Sequence, residues 1–593
     1  MRHFFKPFVP LAPADIAWLA LVLIAGALYL FGLGGGYAPT NGDEMVYIHI
    51  ARMTAESGHW LPLQSELIGM RNTKPPLLIW QAIVASDWGA HWSLFALRLP
   101  SVLYTFATTA LLAFFTHRLA PVQAEKLRTA CLAAALYLLF FSTFRYGRVY
   151  LTSAPETFWL ALPMWWLLWL RVRSSGTAQL GWLAYTLIGV AMGLGAAYKS
   201  FALVAPAAAA LWCAVLLAQP GLRWRTAWQT TVGVGWSALL GLAIFALWFV
   251  LDPDPGAVWQ EFVVAENAGK MSTSQGYWHA ALFGEYPMWT QLLAYPANAG
   301  LLFLVVLGFC GVALMHGVRR ATYTRLSPAL WVLLAWLVVW LVVFTIPSQR
   351  SERYVIPAMP ALAIAMALMW ERIAKVWFWL TLLITAPALV MLARIGWVMG
   401  EMGIASNSAV AMTLVAACAG ITGLAAGFTF KGKTQNVPRN ATLVACLSVY
   451  ATFGLMVAPL SGADAGYSPA LQSQLAGQKV AVPNGFTGQF DRYQFLLPGA
   501  HITPYDTEGR NTGALYPDMP PAQRLRTLLE QFDAVVWLQE DLQTTQPTCM
   551  PQCRLIGARW HVKSRHKGGE VTLQNLWYPQ EWLFRREWLL VKA

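Results

Sequence analysis

Residues 13–50 read PADIAWLALVLIAGALYLFGLGGGYAPTNGDEMVYIHI. Residues 16–33 hold no charged side chain, enough to cross roughly 30 Å of hydrocarbon as one helix. No A-x-A site follows, so the run reads as a retained helix and not a cleaved signal. A glycine-rich stretch comes next, and then two adjacent carboxylates, Asp43 and Glu44. Further apolar runs lie near 98–116, 129–144, 152–170, 181–197, 201–219, 230–251, 296–315, 328–346, 354–370, 376–393, 407–429 and 440–459. With the first they predict about thirteen transmembrane helices.

Composition agrees. The chain of 593 residues is 57% hydrophobic and 12% charged, about half the charge of a soluble domain. A secreted or cytosolic enzyme is excluded. The net charge of +13 raises the question of nucleic acid, but the basic residues stand singly between apolar runs. They anchor loops and do not line a phosphate-backbone groove, so no nucleic-acid partner is expected. Seven cysteines without a CxxC exclude a zinc ribbon or thioredoxin-like centre.

Basic residues set the expected orientation. With a cytoplasmic N-terminus, the inside segments hold Arg2 and Lys6, Arg118 with Lys126 and Arg128, Arg171 with Arg173, and Arg223 with Arg225. Later ones hold Arg319, Arg320 and Arg325, then Arg372 with Lys375, then Lys431, Lys433 and Arg439. An odd number of crossings puts the C-terminus outside. The plan is a transmembrane domain over 1–459, with outer loops at 34–97 and 252–295, and an outer α/β domain over 460–593. In the first loop, HIARMTAESG and PPLLIWQAIVASDW predict short interfacial helices. In the tail, KVAVP, DAVVWLQE and VTLQNLW predict strands and PAQRLRTLLEQF a helix. Cys549 and Cys553 suit a disulfide in an oxidising compartment, with two free thiols as the alternative.

Several charges have no topogenic task. Lys74, Arg145, Arg148, Lys199, Lys270, Arg350 and Arg353 all fall on the outer side. So do Asp43, Glu44, Glu156, Glu261, Glu266 and Glu285. Each cation alone is explained by snorkelling; together with the acids they predict a functional cavity at the outer surface. Its chemistry suits an anionic lipid phosphate and a group that needs a base.

Five motifs run in order through this half of the chain. They are G-D-E-x-x-Y (Gly42 to Tyr47), G-M-R-x-x-K-P-P (Gly69 to Pro76), G-L-G-x-x-x-K (Gly193 to Lys199), F-x-x-x-E-N-x-x-K (Phe262 to Lys270) and P-S-Q-R-S-E-R-Y-x-x-P-x-x-P (Pro347 to Pro360). They resemble the bacterial protein O-mannosyltransferase-like glycosyltransferases, and especially the lipid A aminoarabinose transferases. The resemblance implies a polytopic α-helical membrane enzyme of the C-type glycosyltransferase fold in the bacterial inner membrane. It implies a polyprenyl-phosphate-linked sugar donor, inversion at the anomeric carbon, and an envelope acceptor such as lipid A, with membrane lipids around it. The outer domain would then be periplasmic. Asp43 resembles the first-loop catalytic aspartate, Glu156 stands where a second acid is expected, and Glu44 adjoins the first. Lys74, Lys199 and Arg353 would hold the carrier phosphate. Tyr47, Tyr354, Arg148 and Lys270 would contact sugar or phosphate. Asp43 also suits the cap of the following helix, and Glu156 the N-terminal charge of its own.

The chain departs from the aminoarabinose transferase pattern twice. Val46 replaces an arginine before Tyr47, and Thr73 replaces the acid before Lys74. That acid is a metal ligand in the resembling enzymes, and no HExxH or Cys/His cluster replaces it. A divalent metal stays open as a cofactor although its usual acidic ligand before Lys74 is absent; no metal ligand is assigned, and His49, His59 and His279 read as packing residues. Within the enzyme class the alternative is transfer to a protein Ser/Thr hydroxyl. From other classes, a lipid-linked sugar transporter would show repeat halves, and none is evident; a membrane-anchored binding protein would not need Asp43, Lys74 and Lys199.

Overall fold

The computed structural model describes residues 13–36, 42–173, 180–219, 223–271, 276–321, 327–429, 436–461, 466–485, 488–507, 519–539, 547, 549–563 and 569–593. Each apolar run is helical in whole or in part. The helices that position the site are α1 (Pro13–Leu30), α2 (Gly42–Glu56), α3 (Pro76–Ala85), α4 (Leu94–Leu119), α5 (Ser153–Arg173) and α6 (Trp182–Tyr198). Among the described residues, seven helices are long and apolar enough to cross a membrane by themselves. The protein is a multi-pass helical membrane protein.

Lipid tails are as apolar as leucine, so close packing and hydrogen bonds hold such helices together. Two glycines decide where α6 runs. A Cβ on Gly193 would lie 2.7 Å from Cβ of Ile244 in the helix Trp224–Leu251, and one on Gly195 would lie 2.6 Å from Cγ of Leu160 in α5. Only glycine allows both approaches, and together they bring the end of α6 beside the start of α5. Deeper in the bundle, Trp165 of α5 stacks on Phe115 of α4 at 5.3 Å and meets Trp336 edge-on at 5.1 Å.

The tail forms a five-stranded sheet of order β2-β1-β3-β5-β4. Its strands are β1 (Lys479–Asn484), β2 (His501–Asp506), β3 (Ala534–Gln539), β4 (Cys553–Val562) and β5 (Phe584–Lys592). β1 pairs in parallel with β2 and β3, while β5 runs antiparallel between β3 and β4. Cys549 and Cys553 are disulfide-bonded.

Two local expectations change. VTLQNLW is not a strand: Thr572 accepts a hydrogen bond from the Asn575 N–H at 3.1 Å, and Leu573–Trp577 form a short helix. The sheet instead takes Cys553–Val562 and Phe584–Lys592. The first-loop stretches are helical, as α2 and α3. However, α2 does not lie free at an interface, because Glu44 to Ala51 are all buried in protein.

Candidate active site

Asp43 and Glu44 occupy the first turn of α2, where the helix dipole favours acids. One position apart, they face different surroundings. Glu44 is fully buried, and both its oxygens take hydrogen bonds from Arg98 of α4, from Nε at 2.7 Å and Nη2 at 2.9 Å. Oε1 also accepts the Tyr150 N–H, and Arg98 Nη1 reaches the Leu33 and Gly35 carbonyls beyond α1. Glu44 therefore ties α2 to α4 and to the chain leaving α1. Glu44, grouped with the catalytic acids by its place beside Asp43, is thus engaged in holding the scaffold.

Asp43 is 40% exposed, and its Oδ2 lies 3.2 Å from Arg353 Nη1. Arg353 belongs to the 3₁₀ turn Glu352–Ala358, begun by Ser351, whose Oγ accepts the Arg353 N–H. Its guanidinium covers the Tyr146 ring at 4.7 Å. Glu156, in the first turn of α5, is fully buried. Its Oε1 lies 2.9 Å from Lys199 Nζ, and Oε2 has no partner among the described residues. Lys199 caps the C-terminal end of α6 and lies 5.7 Å from the Tyr354 ring centroid. Lys74, just before the prolines that begin α3, donates to Glu266 at 2.9 Å and to the Thr73 carbonyl at 2.7 Å. It also sits 5.8 Å from the Tyr47 ring. Glu266 comes from the π-helical segment Trp259–Asn267, and such segments recur at functional sites.

Lys74, Arg353 and Glu156 all act electrostatically on Lys199. Tyr47 feels Asp43, Arg353, Glu266 and Glu156 at once. Burial, reinforced by Asp43, pushes the Tyr47 phenol well above its usual pKa, so it stays a neutral donor. The cluster thus holds three cations, each paired with one acid: Lys74 with Glu266, Lys199 with Glu156, and Arg353 with Asp43. Two cavities lie elsewhere, one of about 390 Å³ beside Trp182, Gln219 and Thr230, the other of about 590 Å³ among Trp165, Trp166 and Trp169.

Asp43, Glu156, Lys74, Lys199, Arg353, Tyr47 and Tyr354 are therefore brought together. Arg148 is not among them. It is buried, donates to the Phe31 carbonyl at 2.5 Å and covers Phe144 at 4.8 Å, so it braces the end of α1. The Lys270 side chain lies outside the described residues. Glu266, already among the outer-side acids and in the F-x-x-x-E-N motif, gains a defined partner here, whereas nothing in the sequence marks Tyr146. Among the described residues no three His, Cys, Asp or Glu side chains group as metal ligands. At position 73 the threonine hydroxyl is buried with no partner among the described residues, and a neutral hydroxyl is a poor ligand for a hard divalent cation beside Lys74. Thr73 thus supplies no carboxylate ligand beside Lys74.

Residues 36–254 match the family described as dolichyl-phosphate-mannose-protein mannosyltransferase. The chain is 27% identical over 391 residues to the undecaprenyl phosphate-alpha-4-amino-4-deoxy-L-arabinose arabinosyl transferase of Pectobacterium atrosepticum, covering 63% of this chain and 64% of that one. It is 28% identical over 358 residues to transferase 1 of the same description in Sodalis glossinidius, covering 59% and 58%. The matched region spans less than two thirds of either relative. The crystal structure of ArnT from Cupriavidus metallidurans bound to undecaprenyl phosphate superposes with a TM-score of 0.55 at 15% identity, over 97% of both chains. The apo form gives 0.55 at 16% identity, over 88% of this chain and 93% of that one. The overall fold is shared from end to end.

Proposed function

We propose that this protein, a multi-pass membrane chain with the C-type glycosyltransferase fold and a protein mannosyltransferase-family domain over residues 36–254, moves a sugar from a polyprenyl-phosphate carrier to a cell-envelope acceptor such as lipid A. The observation that carries the reading is the convergence of Lys74, Lys199 and Arg353 with Asp43 and Glu156, from five separate segments. Three cations at one place match the charge of a carrier phosphate. The resting carboxylates occupy them until that phosphate arrives.

Arg353 and Asp43 are the most exposed of the three pairs, at 26% and 40%. When Arg353 turns to the phosphate, Asp43 is released at the cavity mouth to act as general base. The acceptor hydroxyl loses its proton to Asp43 as its oxygen attacks the anomeric carbon. The bond from that carbon to the carrier phosphate oxygen breaks, and the electron pair leaves on the polyprenyl phosphate. Lys74 and Lys199 stabilise that leaving charge. Attack opposite the leaving group inverts the anomeric carbon. Glu156 holds Lys199 in place.

In this reading residues 1–459 form the transmembrane catalytic domain of an inner-membrane enzyme, crossing thirteen times from a cytoplasmic N-terminus. Residues 460–593 form a periplasmic domain, which the Cys549–Cys553 disulfide suits. A reporter fluorescent only in the cytoplasm, fused after Ala593, should stay dark. The match to a protein mannosyltransferase family favours, as second reading, transfer to protein Ser/Thr hydroxyls. Mass spectrometry of lipid A and of envelope glycoproteins, with and without the gene, decides between acceptors. A sugar-sized mass lost from lipid A supports the first reading, and one lost only from glycoproteins supports the second. No change in either would sink both.

A further inference from the structure

The outer domain touches α2, the helix that presents Asp43. Before β2, the turn Gln489–Arg492 packs against it. Asp491, fully buried, receives Arg52 Nη2 at 2.8 Å on Oδ1, and His49 Nδ1 lies 3.2 Å from the same oxygen. His49 is fully buried too, with Phe490 edge-on to its ring at 5.4 Å. Its other nitrogen, Nε2, accepts the Glu66 N–H at 3.2 Å. Since Nε2 accepts, the ring proton sits on Nδ1 and is donated to Asp491. Gly488 lets the turn come this close: with φ +75° it suits glycine, and a Cβ there would lie 2.8 Å from Val46 Cγ2.

We infer that Asp491 is a positioning residue for transfer: through His49 and Arg52 it sets the orientation of α2, and so the aim of Asp43 and Tyr47. The inference rests on the reading of Asp43 as the base. The argument is mechanical. Glu44 pins α2 to Arg98 at its first turn, while the apolar packing of its buried face is non-directional and leaves small freedoms of tilt and of rotation about the axis. Asp491 grips positions 49 and 52, on adjacent turns of one face. Position 49 is six residues beyond Asp43, about 9 Å along the helix. The second grip removes both freedoms. Turning α2 by about 10° would carry a side-chain tip, about 5–6 Å from the axis, roughly 1 Å sideways. Asp43 stands 3.2 Å from Arg353, so such a shift would undo its alignment. His49 also ties the Glu66 backbone, in the loop that leads to Lys74, to the same anchor.

The test is steady-state transfer by the full-length enzyme in detergent, from an undecaprenyl-phosphate sugar donor, per mole of monodisperse protein. Asp491→Ala should lower kcat by about 10- to 100-fold, the scale of a misplacement near 1 Å. Donor KM should change less than kcat, because Lys74, Lys199 and Arg353 stand on other segments and only Tyr47 among the donor contacts rides on α2. Asp491→Asn keeps an oxygen for both donors and should restore most of the rate. A role limited to holding the domain on would reduce the yield of folded enzyme and not kcat. Unchanged kcat in Asp491→Ala overturns the inference, and so does an Asp491→Asn enzyme as slow as Asp491→Ala. If Asp491→Ala does not fold, Arg52→Met, which removes one of the two grips, is measured instead: a kcat lowered more than KM is raised supports the inference and an unchanged kcat overturns it. Asp43→Asn separates the two levels. If that variant is inactive while Asp491→Ala is fully active, only the positioning inference fails. If Asp43→Asn itself transfers at the wild-type rate, the reading of the base fails as well.

Discussion

Replacing Lys199 by methionine should break two things of different size, and a second substitution separates them. Lys199 is 15% exposed and its partner Glu156 is fully buried, with no partner for Oε2 among the described residues. Removing the cation strands a buried carboxylate, which costs about 3–5 kcal/mol. It also removes a charge-assisted contact to the carrier phosphate, worth about 1.5–3 kcal/mol, or about 10- to 150-fold in affinity. Lys199→Met alone should therefore melt well below wild type in detergent and bind undecaprenyl phosphate weakly. Adding Glu156→Gln neutralises the stranded acid, so the double variant should recover most of the stability. It should recover none of the phosphate affinity. Thermal unfolding followed by tryptophan fluorescence reads the first quantity, and titration with undecaprenyl phosphate reads the second. Wild-type affinity in the double variant would remove Lys199 from the phosphate site. A double variant no more stable than Lys199→Met would show that burial of Glu156 is not what the lysine offsets.

Asp43→Asn should leave a folded, monodisperse enzyme, since asparagine matches aspartate in size, yet transfer should fall about 10²–10⁴-fold; a rate near wild type would remove Asp43 from the chemistry. Glu44→Gln should do the reverse, costing about 3–5 kcal/mol of stability by stranding Arg98, which is 1% exposed, and wild-type thermostability there would refute its scaffold role. The C-terminal domain should loosen in mild acid. Burial, with Arg492 and Arg559, pushes the His561 imidazole down to about 3 from 6.5, so its contribution is full above pH 6.5 and fades as pH falls toward 3, by up to about 1.4 kcal/mol per pH unit. Glu587, which burial would raise but Arg559 and Arg492 hold at about 2, loses its contribution only below its ordinary 4.5. Between pH 6.5 and 4.5 His561 therefore acts alone. Hydrogen exchange of β5, corrected for intrinsic rates, should show protection falling over that window; constant protection would refute it.

What the chain says by itself concerns properties carried in short windows. A run such as 16–33 is helical wherever it is placed, because an unbroken apolar stretch in lipid must satisfy its own backbone. The cations at 74, 199 and 353 and the acids at 43 and 156 stood out because they lie at helix ends where insertion does not need them. In the tail, β1, β3 and the helix Pro521–Gln531 follow local pattern closely. Segment 571–577 did not, since its alternation resembles a strand while Thr572 offers a cap that outcompetes one. Pairing lay beyond any window. Glu44 and Asp43 are neighbours with the same chemistry, and only the arrival of Arg98 from 54 positions away makes one scaffold and leaves the other at the surface. Lys74 meets Glu266 across 192 positions and His49 meets Asp491 across 442. An ion pair depends on distances of a few ångströms between side chains, and those are set by which helices pack together. Glycines 193 and 195 help decide that packing, but their effect appears only once Ile244 and Leu160 stand opposite them.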